Sequence, residues 1–327
     1  MSKIIAMFGQ VLALGPKKPN KIYSTILVIT LTVSTFFSNY FRLPYYQNFT
    51  PIKLNNNILI EVMMYFFAVV LIVDGTFCKM DQWVILWSVV ERHGQKYVFR
   101  FLLAQVVFVV LDWVSILVWI DMEGVDFFSQ YFTDEVLLYY QFYITCVVII
   151  LAKIIKEEYQ QLEHKIKYYN LGKIQNRLVS LNDCVLNFNQ IFGFSFVPLV
   201  MTCGLIVVEL LDDVFKNSYG YTKGQYFGIL IANLITIMQC LVPTFLAIAY
   251  CNQVGENARK LLLKACYLRR FLRDEKQREL DFFIKTSRNH FPQFTAAEFF
   301  QIDKSLVFKI LGSVTTCLIV VVQFNAK

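Results

Sequence analysis

The sequence is poor in charged residues. Lys, Arg, Asp and Glu make up 17% of its 327 residues, whereas about 25% is usual in a soluble domain. Hydrophobic residues account for 57%, and the mean hydropathy is +0.50. This balance excludes an ordinary soluble domain and indicates a protein that crosses a membrane several times. The net charge of +7 is therefore interpreted by where the basic residues lie, and no nucleic-acid partner is expected.

The sequence also lacks the patterns of enzymes and metal sites. It contains no Gly-rich phosphate loop, no H-E-x-x-H and no G-x-S-x-G. Its 8 cysteines form no C-x-x-C pair, and its 3 histidines lie far apart. We therefore expect no enzymatic activity, no metal site and no cofactor.

Seven apolar runs are long enough to cross a bilayer, whose hydrocarbon core of about 30 Å needs about 20 helical residues. They lie at about 22–41, 58–77, 97–120, 136–155, 191–211, 226–251 and 305–324. No internal repeat is evident, which disfavours a transporter built from repeats. The sequence thus predicts an all-α membrane protein with seven transmembrane helices.

Basic residues predict the orientation of these spans. Of the 31 Lys and Arg residues, 26 fall on the side that holds the N-terminus, which is the pattern of a cytosolic face. The N-terminal segment 1–21 is therefore expected in the cytosol and the tail 325–327 outside. Asn48 begins the one N-glycosylation sequon, in a loop that this orientation places outside. Asn48 is accordingly the predicted glycosylation site.

Two spans are predicted to continue into the cytosol as amphipathic helices. After the fourth span, over 156–190, apolar residues step mostly by three and four in a stretch with almost no helix breaker: Leu162, Ile166, Tyr169, Ile174, Leu178, Leu181, Val185 and Phe188. After the sixth, at the start of 252–304, a second stripe comprises Val254, Ala258, Leu261, Ala265, Leu268 and Leu272. These extensions are expected to form a cytosolic anchor bundle between the membrane segments 22–155, 191–251 and 305–324. The stripes could join subunits or close within one subunit, and the sequence leaves both open.

The last apolar run carries a polar seam. Ser305, Lys309, Gly312, Thr316 and Gln323 recur at helical spacing among apolar neighbours. A transmembrane helix with such a seam either packs closely on another helix or faces water. Several copies of this helix around an axis would present Ser305, Gly312, Thr316, Val320 and Gln323 to water.

The residue pattern of this run resembles the signature of the insect gustatory receptor family. That signature reads Thr-Tyr, five hydrophobic residues and Gln-Phe in the last helix. Here it falls on Thr316, Cys317, residues 318–322, Gln323 and Phe324, with Cys317 where the family usually has Tyr. Upstream, Ile302-Asp303-Lys304 resembles the family's Ile-Asp-Arg element.

The resemblance implies a fold, an activity and partners. It implies a ligand-gated cation channel of low selectivity, related to insect odorant receptors, in the plasma membrane of sensory neurons. The channel would be a homotetramer or a heteromer with related receptors, held together by the cytosolic extensions. Its last helix would line the ion path, with the closed constriction at Gln323 and Phe324.

A second candidate site lies in the outer half of the bundle. Asp112 falls within the run VVFVVLDWVSILVW, and an intramembrane carboxylate is costly unless it is paired or faces water. Apolar walls with a few converging polar groups are typical of small-molecule sites. The predicted tastant-binding residues are Asp112, Ile116, Trp119, Tyr140, Tyr143 and Asn233. A structural polar network around Asp112, and an interfacial aromatic belt at Trp119 and Tyr140, stay open as alternatives.

The sequence therefore predicts a contact chemosensory receptor that works as a channel in contact with membrane lipids. Two alternatives belong to other classes. One is a seven-helix receptor that signals through a cytosolic partner without conducting. The other is a small-molecule transporter.

Overall fold

A computed structural model describes residues 3–14, 20–47, 49, 51–166, 171–216, 223–271 and 274–325. Its helices, in chain order, are α1 (Lys3–Val11), α2 (Lys21–Tyr46), α3 (Pro51–Val73), α4 (Met80–His93), α5 (Val98–Glu123), α6 (Asp126–Lys165), α7 (Leu171–Lys216), α8 (Lys223–Leu268), α9 (Asp274–Asn289) and α10 (Lys304–Asn325). A π-helical turn over Asp74–Cys78 links α3 to α4, and 3-10 turns cover Gly94–Tyr97 and Arg269–Phe271. Two short antiparallel strands, β1 (Thr295–Ala296) and β2 (Phe300–Gln301), precede α10.

Six helical segments in the described part of the chain are long and apolar enough to cross a membrane. They contain α2, α3, α5, α6, α7 and α8, with α4 and α5 counted as one segment. α10, at 22 residues, also reaches the roughly 30 Å of a bilayer core. The predicted all-α membrane fold is thereby confirmed, while its orientation stays a prediction.

Three helices are far longer than a bilayer requires. α6 has 40 residues, and α7 and α8 have 46 each, against about 20 for one crossing. α6 and α8 pack along each other, and α7 packs on α3 and α10. α6 is the central helix, since its buried residues extend from Phe127 to Leu162.

The structure corrects the prediction of one amphipathic helix over 156–190. α6 ends at Lys165 and α7 begins at Leu171, so the stripe is divided between two helices. Its members Leu162, Ile166, Ile174, Leu178, Leu181, Val185 and Phe188 are all buried within the chain, and Tyr169 lies outside the described residues. A chain that turns back on itself can bury both halves of the stripe against one core, which a single straight helix cannot do.

The second stripe is buried within the chain as well. Val254, Ala258, Leu261 and Ala265 are buried, whereas Leu272 lies outside the described residues. Both stripes therefore close inside one subunit, which was one of the two open alternatives.

α4 was not anticipated from the sequence. It lies against α6 and α7 and buries Trp83 and Trp87. The Trp83 ring meets Phe192 of α7 edge-on, with ring centroids 5.3 Å apart. At 14 residues, α4 is too short for a membrane span, and only its tertiary contacts explain its two buried tryptophans.

Candidate pore helix and ligand pocket

The Ile302-Asp303-Lys304 element fixes the start of α10. Ile302 is buried, and its N–H donates to the Phe294 carbonyl oxygen at 2.8 Å. Asp303 Oδ1 accepts hydrogen bonds from the Ser305 hydroxyl at 2.6 Å and the Ser305 N–H at 2.9 Å. These bonds, the hydroxyl bond first, lower the pKa of the Asp303 carboxyl. Asp303 therefore caps α10, satisfying a backbone N–H that has no partner within the helix.

Lys304 attaches this start to α8. Its Nζ donates to Glu256 Oε1 at 2.6 Å, and the bond lowers the pKa of Glu256. Asn252 of α8 also donates to Glu256, at 2.8 Å. All three residues of the element thus stabilise the start of α10: Ile302 through its buried backbone bond, Asp303 as the cap and Lys304 through its bond to α8.

The segment between α9 and α10 rests on one turn of α7. Asn189 donates to the Gln293 carbonyl oxygen at 2.7 Å and accepts from the Thr295 N–H at 3.1 Å. At Gly193, an added Cβ would lie 2.9 Å from the Thr295 carbonyl oxygen and 3.0 Å from the Ala297 nitrogen. The backbone of α7 and the backbone of the segment 295–297 are in direct contact here, which leaves no room for a side chain and so requires glycine. Sequence reasoning did not find this contact, because Gly193 lies within an otherwise ordinary helical pattern.

α10 buries only a narrow stripe against the rest of the chain. Leu306 and Ile310 are buried. Other positions around the helix are exposed, including the seam residues Ser305, Lys309, Gly312 and Thr316 and also Phe308, Leu311 and Cys317. Thr316 Oγ1 donates to the Gly312 carbonyl oxygen of its own helix at 2.9 Å, so its hydroxyl needs no partner on another helix.

Three of the predicted pore residues have no described side chain. The backbone of Val320, Gln323 and Phe324 continues α10 as helix, but their side chains lie outside the described part of the structure. Their role at the gate therefore stays a prediction. The predicted glycosylation site, Asn48, also lies outside the described residues.

α10 leaves a groove between itself and α7. The groove has a volume of about 340 Å³ and is mainly apolar. Met201 and Gly204 of α7 line one side, and Ser313 and Cys317 of α10 line the other. The groove also reaches Leu306 and Ile310 near the start of α10, so it follows the helix over about three turns.

The predicted ligand pocket divides into two groups. Asp112 of α5 lies near the Glu135 side chain of α6, and its Oδ1 is buried with no hydrogen-bond partner among the described residues. Asn233 of α8 is buried, and its Nδ2 has no partner among the described residues. On α5, Ile116 is buried and Trp119 is half-buried. Unpaired buried polar atoms on neighbouring helices are what a ligand with polar groups would satisfy.

The two predicted tyrosines instead hold the N-terminal helix. Tyr143 donates to the Ile5 carbonyl oxygen at 2.9 Å, and Tyr140 donates to that of Leu12 at 3.2 Å. A Cβ at Gly9 would lie 2.9 Å from Tyr143 Oη and 3.0 Å from Trp87. α1 is therefore seated closely on α4, α5 and α6, and the structure does not place Tyr140 and Tyr143 beside Asp112.

A buried charge cluster joins α2, α3 and α6. Arg42 is 2% exposed and pairs with Glu61 and with Asp134, the latter at 3.0 Å. Its guanidinium lies 4.8 Å from the centroid of the Tyr131 ring. Asp134 precedes Glu135, which lies near Asp112, so the cluster adjoins the region around Asp112.

The first predicted span ends at about residue 41, which would leave Arg42 in the loop that follows it. A helix that continues to Tyr46 instead carries it inside the bundle. The signal available was the spacing of Ser38 and Arg42, four residues apart on one helix face. Arg42 Nη2 donates a hydrogen bond to Ser38 Oγ at 2.8 Å.

Comparison with known proteins gives one family. The sequence matches the model of the family described as 7tm Chemosensory receptor over residues 15–327. Two solved structures of the insect olfactory receptor OR5 from Machilis hrabei are similar. The one in complex with eugenol has a TM-score of 0.74 at 14% sequence identity, covering 99% of this chain and 98% of that chain. The other has a TM-score of 0.68 at 13% identity, covering 99% and 97%. No curated protein matches the sequence.

Proposed function

The chain belongs to the 7tm chemosensory receptor family, and we propose that it is a gustatory receptor: a ligand-gated, poorly selective cation channel opened by a small-molecule tastant. It works in the plasma membrane of sensory neurons as a homotetramer or as a heteromer with related receptors. α10 lines the pore, and Gln323 and Phe324 form the closed constriction.

The exposed seam of α10 is the main observation in support. In the single chain, Ser305, Gly312 and Thr316 face away from the bundle. Polar side chains are unfavourable against lipid tails and are more stable against water or against a second copy of α10. Several copies of α10 around an axis would place these uncharged polar groups on a water-filled path. Such a lining contains no fixed acidic or basic ring deep in the membrane, which fits low selectivity.

Lys309 is compatible with a cation path. It lies on the second turn of α10, near the predicted cytosolic mouth. A lysine near a helix end can also extend its ammonium group toward the water.

Exposed aromatic residues far from the membrane support assembly. Tyr267 is 59% exposed, Phe271 68% and Phe282 60%, and the rings of Tyr267 and Phe271 lie 5.0 Å apart. These residues follow the sixth span on the predicted cytosolic side, where no lipid can cover them. A patch of this kind marks a surface for another protein chain, here the corresponding patch of a neighbouring subunit.

Asp112 and Asn233, with Ile116 and Trp119 as apolar wall, form the proposed ligand pocket. One of the two similar OR5 structures is a complex with eugenol, a small molecule, and a small-molecule tastant is what we propose here. The ligand would open the channel by binding more tightly to the open arrangement, since only a difference in affinity shifts the equilibrium.

Electrical recording separates this proposal from its rivals. Cells expressing the chain, alone and with a related receptor, are tested with a panel of tastants. We expect a ligand-evoked cation current, and Gln323→Ala is expected to change its permeation or gating. A second-messenger response without current would favour a non-conducting receptor, and uptake without current a transporter. Currents indifferent to Gln323→Ala would count against the proposed constriction.

A further inference from the structure

A basic cavity lies between the end of α8 and the helix that folds back onto it, α9. Its volume is about 620 Å³, within the range of about 300–1,000 Å³ typical of small-molecule sites. Arg269 and Arg270 reach it from the turn after α8, and Lys285 and Arg288 reach it from α9. Buried Ile284 contributes to its wall.

The cavity has a positive charge that the described residues do not balance. Asp281 is the acidic residue among those that line it, and Arg269 occupies both of its oxygens, with Nε at 2.5 Å from Oδ1 and Nη2 at 3.1 Å from Oδ2. Across the described part of the chain, Arg270, Lys285 and Arg288 have no ion-pair partner. Three unpaired cations thus converge on one cavity from two elements.

Local helix electrostatics explains only part of this arrangement. Arg269 and Arg270 follow the last turn of α8, and Arg288 lies in the last turn of α9, where cations complement the helix dipole. Lys285 lies a turn further inside α9 and nevertheless faces the same cavity. Bringing these like charges together is unfavourable in the absence of an anion.

The residue types indicate the anion. Guanidinium groups bind phosphate through paired hydrogen bonds, and a lysine ammonium adds a point charge. A single phosphate would fill only a small part of a cavity of this size. We propose that the cavity between α8 and α9 binds a soluble, multiply phosphorylated anion, of the class of inositol polyphosphates and nucleotides.

Distance from the membrane favours a soluble ligand over a lipid headgroup. The predicted sixth span ends at Cys251, and α8 continues for about 27 Å before Arg269 at 1.5 Å per residue. That is about three times the Debye length of roughly 8 Å at physiological ionic strength. The bound anion would hold α9 on α8. The segment that follows α9 contains Thr295, whose backbone lies against Gly193 of α7, and this segment continues into α10.

Direct binding tests the site, whether or not the protein conducts. The full chain, purified into nanodiscs of neutral phosphatidylcholine, is titrated with inositol hexakisphosphate, ATP and inorganic phosphate. We expect saturable binding of inositol hexakisphosphate, binding of inorganic phosphate weaker by at least about a hundredfold, and a steep loss of affinity with salt, as charge-assisted contacts require.

Charge-reversal variants locate the binding. Lys285→Glu combined with Arg288→Glu is expected to weaken inositol hexakisphosphate binding at least about tenfold. Arg92→Glu combined with Lys260→Glu makes the same charge change at exposed positions outside the cavity and is expected to change affinity less than twofold. The neutral pair Lys285→Gln and Arg288→Gln should also weaken binding, which guards against an effect of misfolding by the reversed charges.

Three results would overturn the proposal. One is the absence of saturable binding by the unaltered chain, and another is an equal loss of affinity in the control pair. The third is binding to vesicles that contain phosphatidylinositol 4,5-bisphosphate without binding to the soluble anions, which would identify a lipid-surface contact instead.

Discussion

Gly193 of α7 lies against the backbone of Thr295, so that a methyl group on Gly193 would come within 2.9 Å of the Thr295 carbonyl oxygen. This contact seats the segment that leads into α10 on a helix that also packs against α10. Movement of α7 and movement of the α10 start are therefore coupled through backbone atoms, which have little freedom to rearrange.

Replacing Gly193 by Ala should separate α7 from this segment. We expect the variant to lose roughly 1–3 kcal/mol of stability, as overpacking typically costs, and to show weaker ligand-evoked current. The midpoint of thermal unfolding of the purified chain and its whole-cell current measure the two effects. Gly255→Ala is the matched control, because no atom lies within 4 Å of its added Cβ; that change should be neutral or stabilising. Similar losses in both variants would show that the contact at Gly193 has no special role.

Gly9 offers a second steric test. Gly9→Ala would push against Tyr143 Oη at 2.9 Å, which should loosen α1 and expose it to protease. Tyr143→Phe removes that oxygen and also the bond to the Ile5 carbonyl, at a cost of about 0.5–1.5 kcal/mol. The double variant should therefore lose less stability than the sum of the two single changes. Strict additivity in this cycle would mean that α1 is not seated on Tyr143.

Arg42 should be among the residues whose loss is most damaging. Arg42→Met leaves the buried carboxylates of Glu61 and Asp134 unpaired, and breaking a buried pair in this way typically costs about 3–5 kcal/mol. Adding Glu61→Gln and Asp134→Asn to the same chain should recover part of the stability, since no buried charge is then left alone. The surface expression and the midpoint of thermal unfolding are measured for Arg42→Met and for the triple variant. A triple variant less stable than Arg42→Met would contradict the charge-pairing explanation.

The α10 cap predicts a pH dependence. The hydrogen bonds from Ser305 lower the pKa of Asp303 in the folded chain, so the cap stabilises α10 above the ordinary Asp pKa of about 3.9 and is lost as the pH falls through the lowered value. The protection of the first-turn amides of α10, measured as their hydrogen exchange relative to the intrinsic rate at each pH, should fall at the acidic end. Asp303→Ala should lose the cap at every pH, at a cost of about 0.5–2 kcal/mol, whereas Asp303→Asn should keep much of it without the pH dependence. If Asp303→Ala exchanged its first-turn amides as slowly as the unaltered chain, Asp303 would not stabilise the start of α10.

Local periodicity predicted the parts of the structure that depend on nearest neighbours along the chain. The apolar runs, the seam of α10 and the buried stripes through Leu178 and Leu261 follow from spacing alone. The resemblance to the family motif added the expectation that the last helix lines an ion path, which stays a prediction.

Contacts between distant residues account for what the sequence did not reveal. No local signal places Ile5 beside Tyr143, Arg42 beside Asp134, or Gly193 beside Thr295. The turn after Lys165 was missed for a related reason: the apolar residues before and after it continue in helical phase, so the reversal shows only in three dimensions. Two of the six predicted pocket residues, Tyr140 and Tyr143, lie instead on a surface that α1 covers.

The accessibility of position 316 to water tests the central claim most directly. In a Cys317→Ser background, Thr316→Cys is exposed to a charged, water-soluble thiol reagent during ligand-evoked current. Leu311→Cys is the control, because Leu311 is also exposed in the single chain but lies about 140° around the helix from Thr316. If α10 lines the pore, the reagent should block the current through Thr316→Cys and leave that through Leu311→Cys unchanged. A conducting chain in which Thr316→Cys resists the reagent, or in which both positions react alike, would contradict the account.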